Sequence, residues 1–195
     1  MNNKVLLTAI IPFYNNSYTE LKRAIESIIK QRKIDFKILI LIIDDNSKNK
    51  IKLSNLSLIH YEKKKISIKI YRKNKNQGDS SARVTGSNMS KSKYIAFLDA
   101  DDYWLPSKLF HQFNFLKKYK KKLVGANWNN KNHFINFLSI NSGYYRINKI
   151  QMALKWWPHI STVLMERSLF KRIKLNQSKK YRYGGDGDVL IKLAS

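Results

Sequence analysis

The sequence predicts an α/β fold with a mostly parallel central sheet and helices on both of its faces. Three observations carry that expectation. Apolar runs of strand length alternate with helix-patterned stretches in the order strand, helix, strand, strand, helix, strand. The run from Phe36 to Ile43 is apolar enough for a strand covered on both sides. No internal repeat or Gly/Ser linker divides the chain, and 195 residues with 43% apolar content suffice for one domain with its own core.

Each element has a local reason. Leu6 to Phe13 reads as a buried strand with a proline at its end. Ser17 followed by Glu20 is a capping box, and behind it Leu21, Ala24, Ile25, Ile28 and Ile29 fall on one helical face. Phe36 to Ile43 is the second strand. Ile66 to Tyr71 alternates apolar and polar residues, as a more exposed strand does. Asn76-Gln77-Gly78 is a turn, followed by a helix from about Ser80 to Met89. Tyr94 to Leu98 is a short buried strand, and Pro106 suits the first turn of a helix carrying Leu109, Phe113 and Leu116. Leu123 to Trp128 and Thr162 to Met165 have strand character, whereas Asn129 to Tyr145 shows no period.

Composition narrows the function classes. The absence of cysteine excludes a disulfide framework and thiolate metal sites. The start, Met1-Asn2-Asn3-Lys4 and a short apolar run, lacks the small-residue cleavage site of a signal peptide, and no run approaches the length of a membrane span. The net charge of +25 favours an anionic partner: nucleic acid, nucleotide phosphates or an acidic bilayer face. A chain rich in Lys, Asn and Ile is also what AT-rich coding sequence produces, so charge alone decides little.

The acids are more specific, because there are only 13 of them against 38 bases. Asp99-Ala100-Asp101-Asp102 packs three carboxylates into four residues after a buried strand. Such crowding costs free energy unless a cation offsets it, and Mg²⁺ or Mn²⁺ takes carboxylate oxygens together with substrate phosphates. In open parallel sheets, ligands bind beyond the carboxyl ends of the strands. A second pair, Asp44-Asp45 in Asp44-Asp45-Asn46-Ser47, also follows a buried strand, either as turn chemistry or as acceptors for a nucleoside. Gln77 to Arg83 joins a turn to a helix start. There Gly78 allows close backbone approach, and Arg83 is either a phosphate or base contact or a solvent-facing side chain. Gly185-Asp186-Gly187-Asp188 is either a helix cap or a loop holding a general base. The four histidines, His60, His111, His133 and His159, lack metal-binding spacing.

Taken in order, these segments resemble the family 2 glycosyltransferases, inverting enzymes of the GT-A fold, over nearly the whole chain. Thr8 to Asn15 is similar to that family's opening strand and loop. Asp44-Asp45-Asn46-Ser47 resembles its nucleoside-binding motif, and Asn76-x-Gly78 with Ala82-Arg83 its next segment, although Val84 stands where Asn is usual. Phe97 to Asp102, with Trp104, Pro106 and Lys108-Leu109, resembles its metal-binding segment.

The resemblance implies a GT-A-type, Rossmann-like sandwich forming a single domain over 1–195, with a nucleotide-sugar-binding half at 1–103 and an acceptor-side half at 104–195. It implies donor contacts from Pro12, Tyr14, Asn15, Asp44, Asp45, Gly78, Arg83, Asp99 and Ala100, with Asp101 as the ligand of Mg²⁺ or Mn²⁺. Asp186 falls at the position of the catalytic base, with Asp188 as the fallback because Gly185 replaces the usual glutamate. Family members continue past this helix, so the chain ending at Ser195 is expected to be C-terminally truncated. The expected partners are a nucleotide-sugar donor, by default a UDP-sugar, and a saccharide or lipid-linked saccharide acceptor. The expected setting is bacterial O-antigen or capsule assembly, in the cytoplasm or at the inner face of the cytoplasmic membrane with peripheral contact to anionic lipid. No nucleic-acid partner is expected, because carboxylates at two strand ends would repel a phosphate backbone.

Overall fold

The computed structural model describes residues 5–62, 64–126, 159–173 and 192. In chain order their regular elements are β1 (Val5–Phe13), α1 (Tyr18–Ile29), β2 (Lys37–Asp44), β3 (Ile66–Arg72), α2 (Asp79–Met89), β4 (Tyr94–Phe97), α3 (Lys108–Tyr119), β5 (Leu123–Val124), β6 (Leu164–Glu166) and α4 (Arg167–Arg172). Two 3₁₀ turns add Leu53–Leu56 and Ile160–Thr162. The strands form one sheet in the order β3-β2-β1-β4-β6-β5. The first four are parallel, and β6 runs antiparallel to both β4 and β5.

Alternation along each strand sorts side chains to two faces. Leu7, Ala9, Ile11 and Phe13 of β1 join Ile38, Ile40 and Ile42 of β2 under α1 and α3, where Leu21, Ala24, Ile25, Ile28, Leu109 and Leu116 are buried. Ile10, Leu41, Ile43, Ile95 and Phe97 form the other face, covered by Ala82 of α2 and Phe170 of α4. Helices therefore lie on both faces, as expected. Each fully buried Ile or Leu contributes about 1.5–3 kcal/mol.

The capping box forms as read: Ser17 Oγ accepts from Glu20 N at 3.2 Å, and Ser17 N donates to Glu20 Oε2 at 3.1 Å. The exposed alternation of Ile66 to Tyr71 belongs to the edge strand of the parallel side. Pro12 is tolerated in β1 because of register. Ile10 O accepts from Leu98 N, Phe13 O accepts from Asp45 N, and backbone groups alternate in direction, so the N–H that Pro12 lacks falls on the β4 side where β4 has already ended.

Three boundaries differ from the sequence expectation by more than one residue. Pro106 precedes α3 instead of opening it, because Ser107 is the N-cap and Pro106 O is occupied by Arg32 N at 2.8 Å. Only Leu123–Val124 of the expected Leu123 to Trp128 strand is a strand among the described residues. Thr162 belongs to a 3₁₀ turn, and the strand begins at Leu164.

α2 approaches β1 closely because of one glycine. A Cβ on Gly86 would lie 2.6 Å from Ile10 Cγ2, inside any real contact distance. This approach brings the amino end of α2 up against the ends of β1 and β4.

Candidate active site

Parallel pairing puts the carboxyl ends of β1, β2, β3 and β4 on one edge, with Phe13 opposite Asp44 and Asp44 opposite Arg72. The strand order turns back between β1 and β4, the position where open α/β sheets place their ligand cleft. Both acidic segments follow strands that end on this edge.

Asp44 and Asp45 are 0% and 1% exposed, so neither carboxylate lies at the surface of the cleft. Asp44 accepts from Arg72 Nη1 and from Ser47 N, both at 2.8 Å. Asp45 accepts from Lys73 Nζ at 2.6 Å, from Gln77 N at 2.9 Å and from Gly78 N at 2.6 Å. Charged hydrogen bonds of this kind are about twice as strong as neutral ones, so the pair locks β2, the end of β3 and the turn before α2 together. Gly78 has φ 87°, a conformation that L side chains rarely adopt, and its amide is thereby aimed at Asp45.

The β1–α1 loop is tied into the same assembly. Asn15, at φ 55°, donates from its backbone N to Ser47 Oγ at 3.1 Å, and its Oδ1 accepts from Lys48 N at 2.9 Å. Pro12 is buried beside it, while Tyr14 and Asn15 are exposed at the rim.

Arg83 is not the solvent-facing arginine that its local sequence allows. It is 2% exposed, and its Nη2 donates to Asp99 Oδ1 at 2.6 Å. Asp99 N in turn donates to Ser161 Oγ at 3.0 Å, and Ser161 O accepts from Trp104 Nε1 at 2.7 Å. Ala100 is buried next to Asp99.

The acids after β4 divide into two sets. Ligand atoms of Asp99, Asp102 and His159 lie within 4.8 Å of one another, a set able to hold a metal ion. His159 Nδ1 stands 3.3 Å from Asp102 Oδ2. Two carboxylates and one imidazole suit Mn²⁺ and, through the oxygens, Mg²⁺. Asp101, the ligand expected from sequence, is outside this set. It is exposed, and its backbone oxygen accepts from Arg23 Nη2. Desolvation, together with Asp102, Asp99 and Glu20, holds its carboxyl above the usual range. Asp79 is also raised, by desolvation and by Asp99, Asp45 and Asp101, against the pull of Arg83. The cleft thus carries an excess of negative charge that a cation would relieve.

Asp186 and Asp188 lie outside the described residues, as does His133. Sequence reasoning passed over Arg72, Lys73 and Ser161, set His159 aside for want of metal-binding spacing, and took Asp101, not Asp102, from the acidic cluster as the ligand. Arg72 and Lys73 had a usable signal, since they end the strand beside Asp44-Asp45. His159 had none in spacing, being far from Asp102 in the chain.

Comparison with known proteins follows the same lines. The model for glycosyl transferase family 2 matches residues 8–178. An uncharacterized glycosyltransferase of Rickettsia felis is 32% identical over 193 residues, covering 97% of this chain and 30% of that protein. The Escherichia coli UDP-Glc:alpha-D-GlcNAc-diphosphoundecaprenol beta-1,3-glucosyltransferase WfaP is 29% identical over 194 residues, covering 96% of this chain and 71% of that protein. Among solved structures, Staphylococcus aureus TarS 1-349 superposes with a TM-score of 0.73 at 16% identity, covering 97% of this chain and 55% of that one. The mannosyltransferase PcManGT from Pyrobaculum calidifontis, in complex with GDP-Man and Mn²⁺, gives 0.67 at 15% identity, covering 93% and 49%. The chain thus spans about a third of the first Rickettsia relatives and about half of the solved chains. The structural likeness shows the GT-A fold that the sequence led us to expect.

Proposed function

This chain belongs to glycosyl transferase family 2, and we propose that it transfers a sugar from a nucleotide-sugar donor, a UDP-sugar, to an acceptor hydroxyl with inversion. The observation that carries this reading is the convergence of Arg83, Asp99, Asp102 and His159 at the strand ends beside the Asp44–Asp45 assembly.

The proposed division of labour follows from exposure and charge. Asp44, Asp45 and Gly78 build the floor of the donor pocket with Pro12, and Tyr14 and Asn15 form its rim. Arg83 fixes Asp99 and brings positive charge to the diphosphate end, with Ala100 packed beneath. Asp99, Asp102 and His159, with Asp101 at the mouth, would hold Mg²⁺ or Mn²⁺. When bound, the ion would neutralise charge on the departing diphosphate. Asp186 takes the acceptor proton, with Asp188 as the alternative. The acceptor oxygen attacks the anomeric carbon, and the nucleoside diphosphate leaves from the opposite side. Residues 1–103 form the donor half of a single domain and 104–195 the acceptor half.

The activity that WfaP is named for supports a UDP-sugar donor and a lipid-linked saccharide acceptor. We place the reaction in surface-polysaccharide assembly, O-antigen or capsule, on the cytoplasmic side of the membrane with peripheral contact to anionic lipid. No helix among the described residues is long and apolar enough to cross a membrane. Calorimetric titration of UDP with Mn²⁺ tests the donor site. Asp102→Asn is expected to abolish metal-dependent binding and Asp101→Ala to weaken it, and unchanged binding in Asp102→Asn would overturn the assignment.

A further inference from the structure

An open groove of about 370 Å³ lies between α1 and the loop that leads into α3, lined by Lys22, Arg23, Lys30, Tyr103, Leu105 and Pro106 among others. Tyr103 is 58% exposed and Leu105 66%, so two large apolar side chains project into solvent within three residues. Single exposed apolar residues are ordinary, but these stand on a fastened backbone. Gln31 Nε2 donates to Leu105 O at 2.7 Å, Arg32 N to Pro106 O at 2.8 Å, and Trp104 N to Ser27 Oγ at 3.0 Å. Arg23 lies over the Tyr103 ring at 5.4 Å. The groove's charged residues are three cations, Lys22, Arg23 and Lys30, against the single acid Glu26.

Rigidly presented apolar side chains ringed by lysine and arginine are suited to the boundary between water and acyl chains, where the apolar groups enter and the cations meet lipid phosphates. We propose that this face docks on an anionic lipid bilayer, with Leu105 and Tyr103 entering the headgroup region. The proposal rests on the membrane contact argued above and names the surface that makes it. The docking loop continues directly from Asp101 and Asp102. The bilayer would therefore meet the chain at the mouth of the site, where a lipid-linked acceptor arrives.

The chain has no cysteine, so a single introduced thiol is unique. Leu105→Cys carrying an environment-sensitive NBD probe is compared with the same probe at Met89→Cys, which is 43% exposed on α2 across the sheet. With phosphatidylglycerol-containing vesicles, the probe at 105 is expected to shift to the blue, with no shift at 89 and none with phosphatidylcholine alone. Tyr103→Ser combined with Leu105→Ser should weaken vesicle partition by about tenfold. A silent probe at 105, or equal shifts at both positions, overturns the proposal. Sedimentation of the unaltered chain separates the two levels. If the chain sediments with anionic vesicles while the 105 probe stays silent, the face is wrong and membrane contact stands; if it does not sediment, both fall.

Discussion

Arg83 and Asp99 form an ion pair at 2.6 Å in which the arginine side chain is 2% exposed and the aspartate 22%. The pair joins α2 to the segment after β4, and it turns a helix residue into part of the cleft wall. Removing one partner of a buried pair leaves an uncompensated charge, which costs about 3–5 kcal/mol. Asp99 keeps some solvent access, so Arg83→Ala should lose stability near the lower end, about 3 kcal/mol. Urea denaturation measures it. Arg83→Lys retains charge without the planar fork and should fall between wild type and the alanine variant.

The group of Asp99, Asp102 and His159 makes a separate prediction about metal affinity. Outer-sphere partners of a metal typically contribute roughly 10–100-fold in affinity, and loss of a direct ligand should cost at least as much. His159→Ala is expected to weaken Mn²⁺ binding by that margin while leaving the thermal midpoint nearly unchanged, since the side chain is 40% exposed. Electron paramagnetic resonance of free Mn²⁺ reads the affinity directly. Equal Mn²⁺ binding by the variant and the wild type would remove His159 from the set.

Gly86→Ala should destabilise the chain although alanine is the better helix former. The helix gain is about 1 kcal/mol, but the added methyl would lie 2.6 Å from Ile10 Cγ2 in a packed core. Overpacking of this sort costs about 1–3 kcal/mol, so the net change is a lower urea midpoint. A higher midpoint would mean that α2 can move away from β1 freely.

Lys108 supplies a pH dependence. Its ammonium lies 4.0 Å from the Trp104 ring centre and 2.8 Å from Gln112 Oε1, and desolvation lowers its pKa to about 7 from 10.5. In the unfolded chain the amine stays protonated to about pH 10.5, so between the two values the unfolded state binds more protons. Stability should therefore rise with pH from about 7 towards 10.5 through this group. Lys108→Met should flatten that part of the curve and raise stability most at and below pH 7. Chemical denaturation across the range checks both.

Much of this is legible in the sequence. The apolar runs, the capping box and the turn at Gly78 are local signals, and the first four strands and first two helices formed within a residue of where they place them. The acidic segments at two strand ends were legible because parallel strands share one carboxyl edge. Side-chain direction was not. Whether Arg83 faces solvent or Asp99 depends on how closely α2 packs, which depends on Gly86 and Ile10 across the core. His159 reaches Asp102 only because β6 inserts antiparallel beside β4, a pairing that no spacing rule reports. The short α4 went unseen because six residues carry too little period.

The bonds that hold Asp44 to Arg72, Asp45 to Lys73 and Gly78, and Arg83 to Asp99 make the floor of the cleft and the scaffold one and the same. Few of these residues could be altered to admit a different donor without loosening the sheet. Any engineering of donor preference is accordingly directed to exposed positions at the rim. Of the rim residues, Tyr14 is 40% exposed, whereas Asn15 beside it is tied to Ser47 and Lys48.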